Sequence, residues 1–502
     1  MTSKVIINRL PTGVPGLDEV LGGGIPEFSF NLIAGTPGCG KTTLAHQMMF
    51  AFAQAGRSAL YFTVLGEPTV KMLRYQQQFD FFDSLVVNQS IHFVDLSADT
   101  LTGDLDQVLR RIVAAVSQHN PDFVFIDSFR SVVRASNLEH QVPNDLPQFV
   151  QQLGMLMTSW QATTFLIGEY SAEIDAGPVF TVADGIIRLT QNIQRNSMVR
   201  KLEVVKLRGQ ATLPGLHTFR IFGAGLTVYA PAGLSAARPA LSPDNPLTPR
   251  VMFAVPRLDD MLGGGLPRGY SLLIAGPSGS GKSILASAFL SEGARVGESG
   301  VIAAFEQRPD LERTPRLAAL IETGRVSLVH ARTPDLSIDE ILHRVVREVS
   351  RLKATRVVID SLSGFELALA PTFREDFRES LARMVTTLSS TGVTVVMTSE
   401  LEDRYIDLRF SPYGTAFMTD AIIVQRYIEL DSRVRRVIAV VKVRASAHSN
   451  ELREYVIDEG GIQIGELLLD QEGLLGGRPT RKRTVDSLTS EPLPNSGKSV
   501  AR

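Results

Sequence analysis

Short apolar runs ending near a glycine or an acidic residue recur along the chain, each followed by a longer stretch with helical spacing. In the first half the runs are "NLIAG", "ALYFTV", "DFVFID" and "TTFLIGE"; in the second they are "LLIAG", "GVIAAFE", "RVVID" and "VTVVMTSE". They are nearly continuous in Val, Ile, Leu and Phe and do not alternate with polar residues. That is the pattern of strands buried on both faces. The stretch after the first run, "TTLAHQMMFAFAQAG", reads as a helix closed by Gly56. Strands alternating with helices predict an α/β fold, a mostly parallel sheet sandwiched by helices, with ligands at the carboxyl ends of the strands.

Between the first strand and its helix lies "GTPGCGKTT", Gly35–Thr43. Gly35, Gly40, Lys41 and Thr42 have the spacing G-x-x-x-x-G-K-[ST], with Thr36, Pro37, Gly38 and Cys39 between and Thr43 after. In that pattern glycines let backbone N–H groups face phosphate oxygens. The lysine reaches the β- and γ-phosphates, and the hydroxyl ligates Mg²⁺. A glycine turn with an incidental lysine is the bland alternative, but strand–loop–helix is the context a phosphate cradle needs. Cys39, the only cysteine, reads as a small filler because no partner for a nucleophile is visible.

The motif occurs twice. "GPSGSGKS" repeats it with Gly276, Pro277, Ser278, Gly279, Ser280, Gly281, Lys282 and Ser283, and "RLDDMLGGGLP" upstream repeats "GLDEVLGGGIP" at the same displacement of 241 residues. A gapless match over that distance is a duplicated domain. We expect two tandem P-loop ATP-binding domains at 1–232 and 249–474. A Pro-, Ala- and Ser-rich linker at 233–248 joins them, and a polar tail at 475–502 reads as disordered.

Acids number 53 and bases 51, which provides no basic footprint for nucleic acid or an anionic membrane. One cysteine excludes a disulfide framework, and neither a signal-peptide core nor a membrane-length apolar run is visible. The expectation is a cytoplasmic protein. "RPTRKR" in the tail reads as a solvated basic cluster.

A cradle also needs a carboxylate to hold Mg²⁺ through water. Asp127 ends "FVFID" and Asp360 ends "RVVID"; each is followed by serine, so a helix-capping aspartate is the competing reading. For activating water, Glu306 can act as base and Gln307 can orient it. In the first half Leu65 and Gly66 occupy those places, with Glu67 displaced by one position. Near the end of each half, "VVKLRG" (Lys206, Arg208) matches "VVKVRA" (Lys442, Arg444). Beside each cradle such a pair reads either as a solvated sheet edge or as cations supplied to a neighbouring subunit's phosphates.

With both cradles, both aspartates and both K-x-R strands in hand, the chain resembles the KaiC family of tandem RecA-like ATPases from about Gly13 to Leu475. Further points of likeness are "MTDAIIVQRYIEL" and "KVRASAH". The resemblance implies a homohexameric double ring with Mg²⁺–ATP between subunits. It also implies trans contacts from Lys206, Arg208, Lys442, Arg444 and His448, with Thr212 where the first ring would have histidine. Clock-type members carry paired glutamates in each half and phosphorylate an adjacent serine and threonine. Here only Glu306 of the glutamates is kept, and the acceptor pair is Ala416–Phe417, leaving Thr415 and Ser411 as nearby hydroxyls. Serine/threonine autokinase activity is what the resemblance implies, with signalling partners that the residues do not name. The rival readings are an ATP-gated non-catalytic scaffold and a RecA-type nucleic-acid motor, the latter opposed by the balanced charge.

Overall fold

The computed structural model describes residues 7–64, 69–100, 104–129, 145–170, 178–194, 197–231, 249–305, 315–330, 336–369, 371–374, 377–401, 418–430, 432–468, 471–472 and 480–481. The described residues form two compact units, each built on a nine-stranded sheet. In the first the strands are β1 (Phe30–Gly35), β2 (Ala59–Thr63), β3 (Ile91–Asp95), β4 (Phe123–Asp127), β5 (Thr163–Gly168), β6 (Gly185–Gln194), β7 (Ser197–Leu207), β8 (Leu216–Phe222) and β9 (Gly225–Tyr229). Their order is β9-β8-β7-β6-β1-β5-β4-β2-β3. From β6 to β3 every pairing is parallel, whereas β6 to β9 form an antiparallel ribbon. The second sheet uses β10 (Ser271–Gly276), β11 (Gly300–Ala304), β12 (Val326–His330), β13 (Arg356–Asp360), β14 (Thr394–Glu400), β15 (Ala421–Leu430), β16 (Arg433–Val443), β17 (Leu452–Asp458) and β18 (Gly461–Leu467) in the same order. The expected mostly parallel α/β sheets are present. The apolar-run pattern misses the antiparallel ribbon, because its strands carry many half-buried and exposed polar residues between their buried ones.

Burial on both faces explains the continuous apolar runs of the central strands. Ile33 packs with Leu44, Met48 and Tyr61 under helix α1 (Lys41–Gln54). Its neighbours Leu32 and Ala34 pack on the other side with α2 (Leu105–His119) and α3 (Asp145–Ser159). In the second unit α4 (Lys282–Arg295) covers Leu272, Ile274 and Ile302 with Leu285 and Phe289. Helix α1 ends as expected: Gly56 takes φ +81° and its N–H, with that of Arg57, satisfies the last carbonyls. No described helix is long and apolar enough to cross a membrane. Thr480–Arg481, inside the stretch expected to be disordered, pairs antiparallel with Gln471–Glu472. The linker residues 233–248 and the remainder of 475–502 lie outside the described residues.

Candidate nucleotide site

Each cradle sits between the central strand and its helix, β1 to α1 and β10 to α4. Gly40 and Gly281 are the residues just before the helices, with φ of +106° and +96°. A Cβ on Gly40 would lie 2.7 Å from Ile221, and one on Gly281 would lie 2.9 Å from Ile457. The backbone conformation therefore selects glycine there, while the nearest atoms are terminal methyls that a Cβ would have to displace. Lys41 donates from Nζ to the Thr36 carbonyl at 2.9 Å; Lys282 donates to Gly276 and Pro277 at 2.9 and 2.8 Å. The ammonium thus spans its own loop at the place where phosphate oxygens would accept from it.

The loop floors differ in chemistry. Cys39 is fully buried with Leu189 in the core, and burial pushes its thiol pKa up. Its counterpart Ser280 donates to Gln425 at 3.2 Å, where Gln425 stands in place of Leu189. The cysteine behaves as a small apolar residue.

The strand-end aspartate of the first domain reaches its cradle. Thr42 donates from Oγ1 to Oδ2 of Asp127 at 2.8 Å, and the Tyr61 hydroxyl donates to the same oxygen at 2.8 Å. Burial raises the Asp127 pKa, with these two hydroxyls and Lys41 pulling against it. In the second unit Thr398 donates to Asp360 at 2.5 Å. Capping falls to the following residue there, Ser361, whose hydroxyl accepts from the Gly364 N–H at 3.2 Å. The peptide bond after each aspartate is cis. Thr63 lies directly beside Asp127 in register, and its buried hydroxyl has no partner among the described residues. A hydroxyl–carboxylate pair at the helix start with an orphaned buried hydroxyl next to it fits a hydrated Mg²⁺. Thr42 and Ser283 would hold the ion directly, and Asp127 and Asp360 through water.

The K-x-R cations are not beside their own cradles, contrary to expectation. Lys206 pairs with Ile186 in register, and Ile186 with Leu32 in the amino-terminal half of β1, whereas the cradle leaves its carboxyl end. Three residues, about 10 Å of strand, separate Leu32 from Gly35. Lys206 donates to the carbonyls of Phe180 and Thr181, and Arg208 bonds Asp184 at 3.1 Å. Lys442 donates to Thr419 at 2.6 Å, and Arg444 lies 3.6 Å from Asp420. Burial first, then the adjacent arginine, lowers the pKa of each lysine. His448 contacts the Ser446 carbonyl through Nδ1.

What lies next to each loop is a pair the motif reading missed. Gln191 donates to the Pro37 carbonyl and Tyr427 to that of Ser278, both at 3.3 Å, and Arg200 and Arg436 are their cross-strand partners. The signal was available in a second repeat displacement, 236 residues, which relates the antiparallel ribbons. Glu67, Glu306, Gln307, Ser411 and Thr415 lie outside the described residues.

Comparison with known proteins agrees with this geometry. The model of the KaiC ATPase family matches residues 10–233 and again 251–468. The chain is 28% identical to the circadian clock oscillator protein KaiC of Picosynechococcus sp. over 95% of this chain and 93% of that one. It is 28% identical to the KaiC of Rippkaea orientalis, over 96% and 93%. Against the KaiC of one Prochlorococcus marinus strain it is 27% identical over 96% and 97%. Two matched sheets, two cradles and two family-model matches therefore place the chain in the KaiC family of ATPases.

Proposed function

We propose that the protein is a cytoplasmic homohexameric ring that binds Mg²⁺–ATP in both domains, 1–232 and 249–474, and hydrolyses it chiefly in the second as a regulatory, signalling ATPase. The observation that carries the reading is the Thr42–Asp127 bond of 2.8 Å beside a loop whose φ of +106° at Gly40 favours glycine. When bound, Mg²⁺ would be held by Thr42 and Ser283 and would supply positive charge against the charge developing on the phosphates. The chain's own contribution is positioning: Lys41 and Lys282 turn from loop carbonyls to phosphate, and Asp127 holds the Thr42 hydroxyl. Glu306 takes the proton of the attacking nucleophile while Gln307 orients it. The first domain, with Leu65–Gly66 at those places and Glu67 one position on, binds ATP with slow turnover and holds the ring. The distance of Lys206 and Arg208 from their own cradle supports service to a neighbouring subunit, with Lys442, Arg444 and His448 doing the same in the second ring.

Autophosphorylation on Thr415 or Ser411 is the finer reading. The test is γ-labelled ATP with Mg²⁺, following free phosphate and label retained on the protein, with Lys282→Ala and Glu306→Gln alongside. Retained label lost in both variants supports the autokinase; free phosphate without retained label leaves an ATPase. Tight binding with no turnover favours the ATP-gated scaffold, for which the Leu65–Gly66 positions already argue in the first domain.

A further inference from the structure

We propose that Tyr61 is a positioning residue of the first nucleotide site, orienting the Asp127 carboxylate through its hydroxyl, and that His46 is the wall that holds the Tyr61 ring in place. The inference rests on the nucleotide reading above.

Tyr61 stands on β2 opposite Phe125, two residues before the position beside Asp127, and its long side chain reaches up to Oδ2. The same oxygen takes the Thr42 hydroxyl, so two donors at 2.8 Å fix the rotation of the carboxylate. Neither of these bonds uses Oδ1. Behind the phenol, the His46 ring lies 4.7 Å from the Tyr61 ring, centroid to centroid. It is fully buried, with Gln76 near its ring. Toward Tyr61 it offers ring contact and no hydrogen bond, so what it contributes here is a flat surface beside the phenol.

The second domain shows that this arrangement is not a requirement of the fold. Ile302 occupies the place of Tyr61, opposite Val358, and Ser287 occupies the place of His46 on the helix. The hydroxyl that holds Asp360 comes from the other flanking strand, from Thr398 on β14. In the first domain the corresponding neighbour, Ile167, is in register with Asp127 and buried. Each domain thus supplies one hydroxyl from a strand flanking its aspartate, but from opposite flanks. A tyrosine kept only for core packing would have no need to end on the carboxylate.

The experiment uses the full chain carrying Lys282→Ala, so that the first cradle reports alone. Binding of a fluorescent ATP analogue is titrated against Mg²⁺ concentration. Tyr61→Phe is expected to raise the Mg²⁺ concentration for half-maximal binding about tenfold, the effect of losing one hydrogen bond to a charged group. Affinity at saturating Mg²⁺ should stay close to that of the parent. Adding Ile167→Thr moves the hydroxyl to the flank used in the second domain and should restore the titration. An unmoved titration in Tyr61→Phe, or an equal loss of affinity at all Mg²⁺ concentrations, would overturn the positioning role. So would a shift that persists undiminished in the double variant. If the Lys282→Ala parent binds no nucleotide at any Mg²⁺ concentration, it is the nucleotide reading of the first domain that falls.

Discussion

Arg356 donates to Glu298 at 2.6 Å from a side chain that is only 2% exposed. Its other bonds go to the carbonyls of Met252 and Phe289, and its guanidinium lies over the Phe289 ring. Glu298 also pairs with Arg268. The first domain has the same pair with the charges exchanged, Glu27 with Arg57 at 3.4 Å. Burial pushes the Glu298 pKa up, but the two guanidinium groups outweigh it and hold the carboxylate ionised. Removing that carboxylate leaves Arg356 buried beside another cation. Glu298→Ala is therefore expected to cost about 3 kcal/mol. Arg356→Met removes the buried charge and should cost markedly less. Urea midpoints of the full chain check the ranking, and an equal or reversed order would refute it.

The place filled by Arg356 in the second domain holds Phe123 in the first, stacked on Phe52 at 3.8 Å between centroids. Opposite Arg356 the chain has Gly293, and a Cβ there would lie 2.6 Å from Arg356 Cδ and Nε. The smallest residue therefore accompanies the arginine. Gly293→Ala is expected to destabilise by about 1–3 kcal/mol through overpacking. The same change in an Arg356→Ala background should cost much less, giving a coupling that a double-mutant cycle measures. Additive effects would show that the contact is not the cause.

These two domains show where sequence reading is strong and where it stops. Strands buried on both faces announce themselves as apolar runs, and the cradles by invariant spacing, because backbone geometry fixes which residues fit at Gly40 and Gly281. The sequence singles out Asp127 and Asp360 because a carboxylate ending an apolar strand needs a reason. Tyr61, His46 and Thr398 were not found. Inside an apolar run a tyrosine or threonine looks like core, and only three-dimensional register shows that its hydroxyl ends on the aspartate. Lys206 and Arg208 stand out in the sequence, but spacing along the chain does not say which end of the sheet a strand returns to.

If those cations serve a neighbour, complementation between subunits follows. Arg444→Ala leaves a subunit's own cradle intact and deprives only the adjacent one. Its turnover is expected to fall at least about tenfold, the loss of one charge-assisted bond in the transition state. Lys282→Ala disables the subunit's own second cradle while keeping Arg444. Mixed and reassembled, the two variants should recover turnover that neither shows alone. Steady-state phosphate release from the mixture, against each variant separately, is the measurement; no gain on mixing would refute the trans assignment.

Cys39 and Ser280 offer a test of the loop floor. Cys39 lies in apolar surroundings with Leu189, whereas Ser280 has Gln425 to accept its hydroxyl hydrogen. Cys39→Ser would bury a hydroxyl beside leucine, with an expected cost of about 1–3 kcal/mol. Adding Leu189→Gln supplies the partner used in the second domain and should return part of that loss. Thermal unfolding of the three proteins checks this, and a Cys39→Ser variant as stable as the parent would contradict the packing account.

His46 gives the clearest pH dependence. Its ring is fully buried, and burial lowers its pKa to about 4, with Gln76 opposing in the smaller measure. In the unfolded chain the same group titrates near its ordinary value of about 6.5. The unfolded state therefore binds the extra proton first as pH falls, and stability is lost between about pH 6.5 and pH 4. The full loss corresponds to about 3 kcal/mol, and none of it is present above neutrality. His46→Leu removes the titrating group while keeping the site apolar. At neutral pH the variant is expected to be less stable than the parent, because the Tyr61 ring loses its flat neighbour. Lowering the pH from about 7.5 to about 4.5 should move the difference by about 2–3 kcal/mol in the variant's favour, while the other histidines cancel between the two proteins. Urea unfolding at both pH values measures it. A parent–variant difference that does not move with pH would mean that His46 either titrates normally in the folded chain or stays uncharged in the unfolded one.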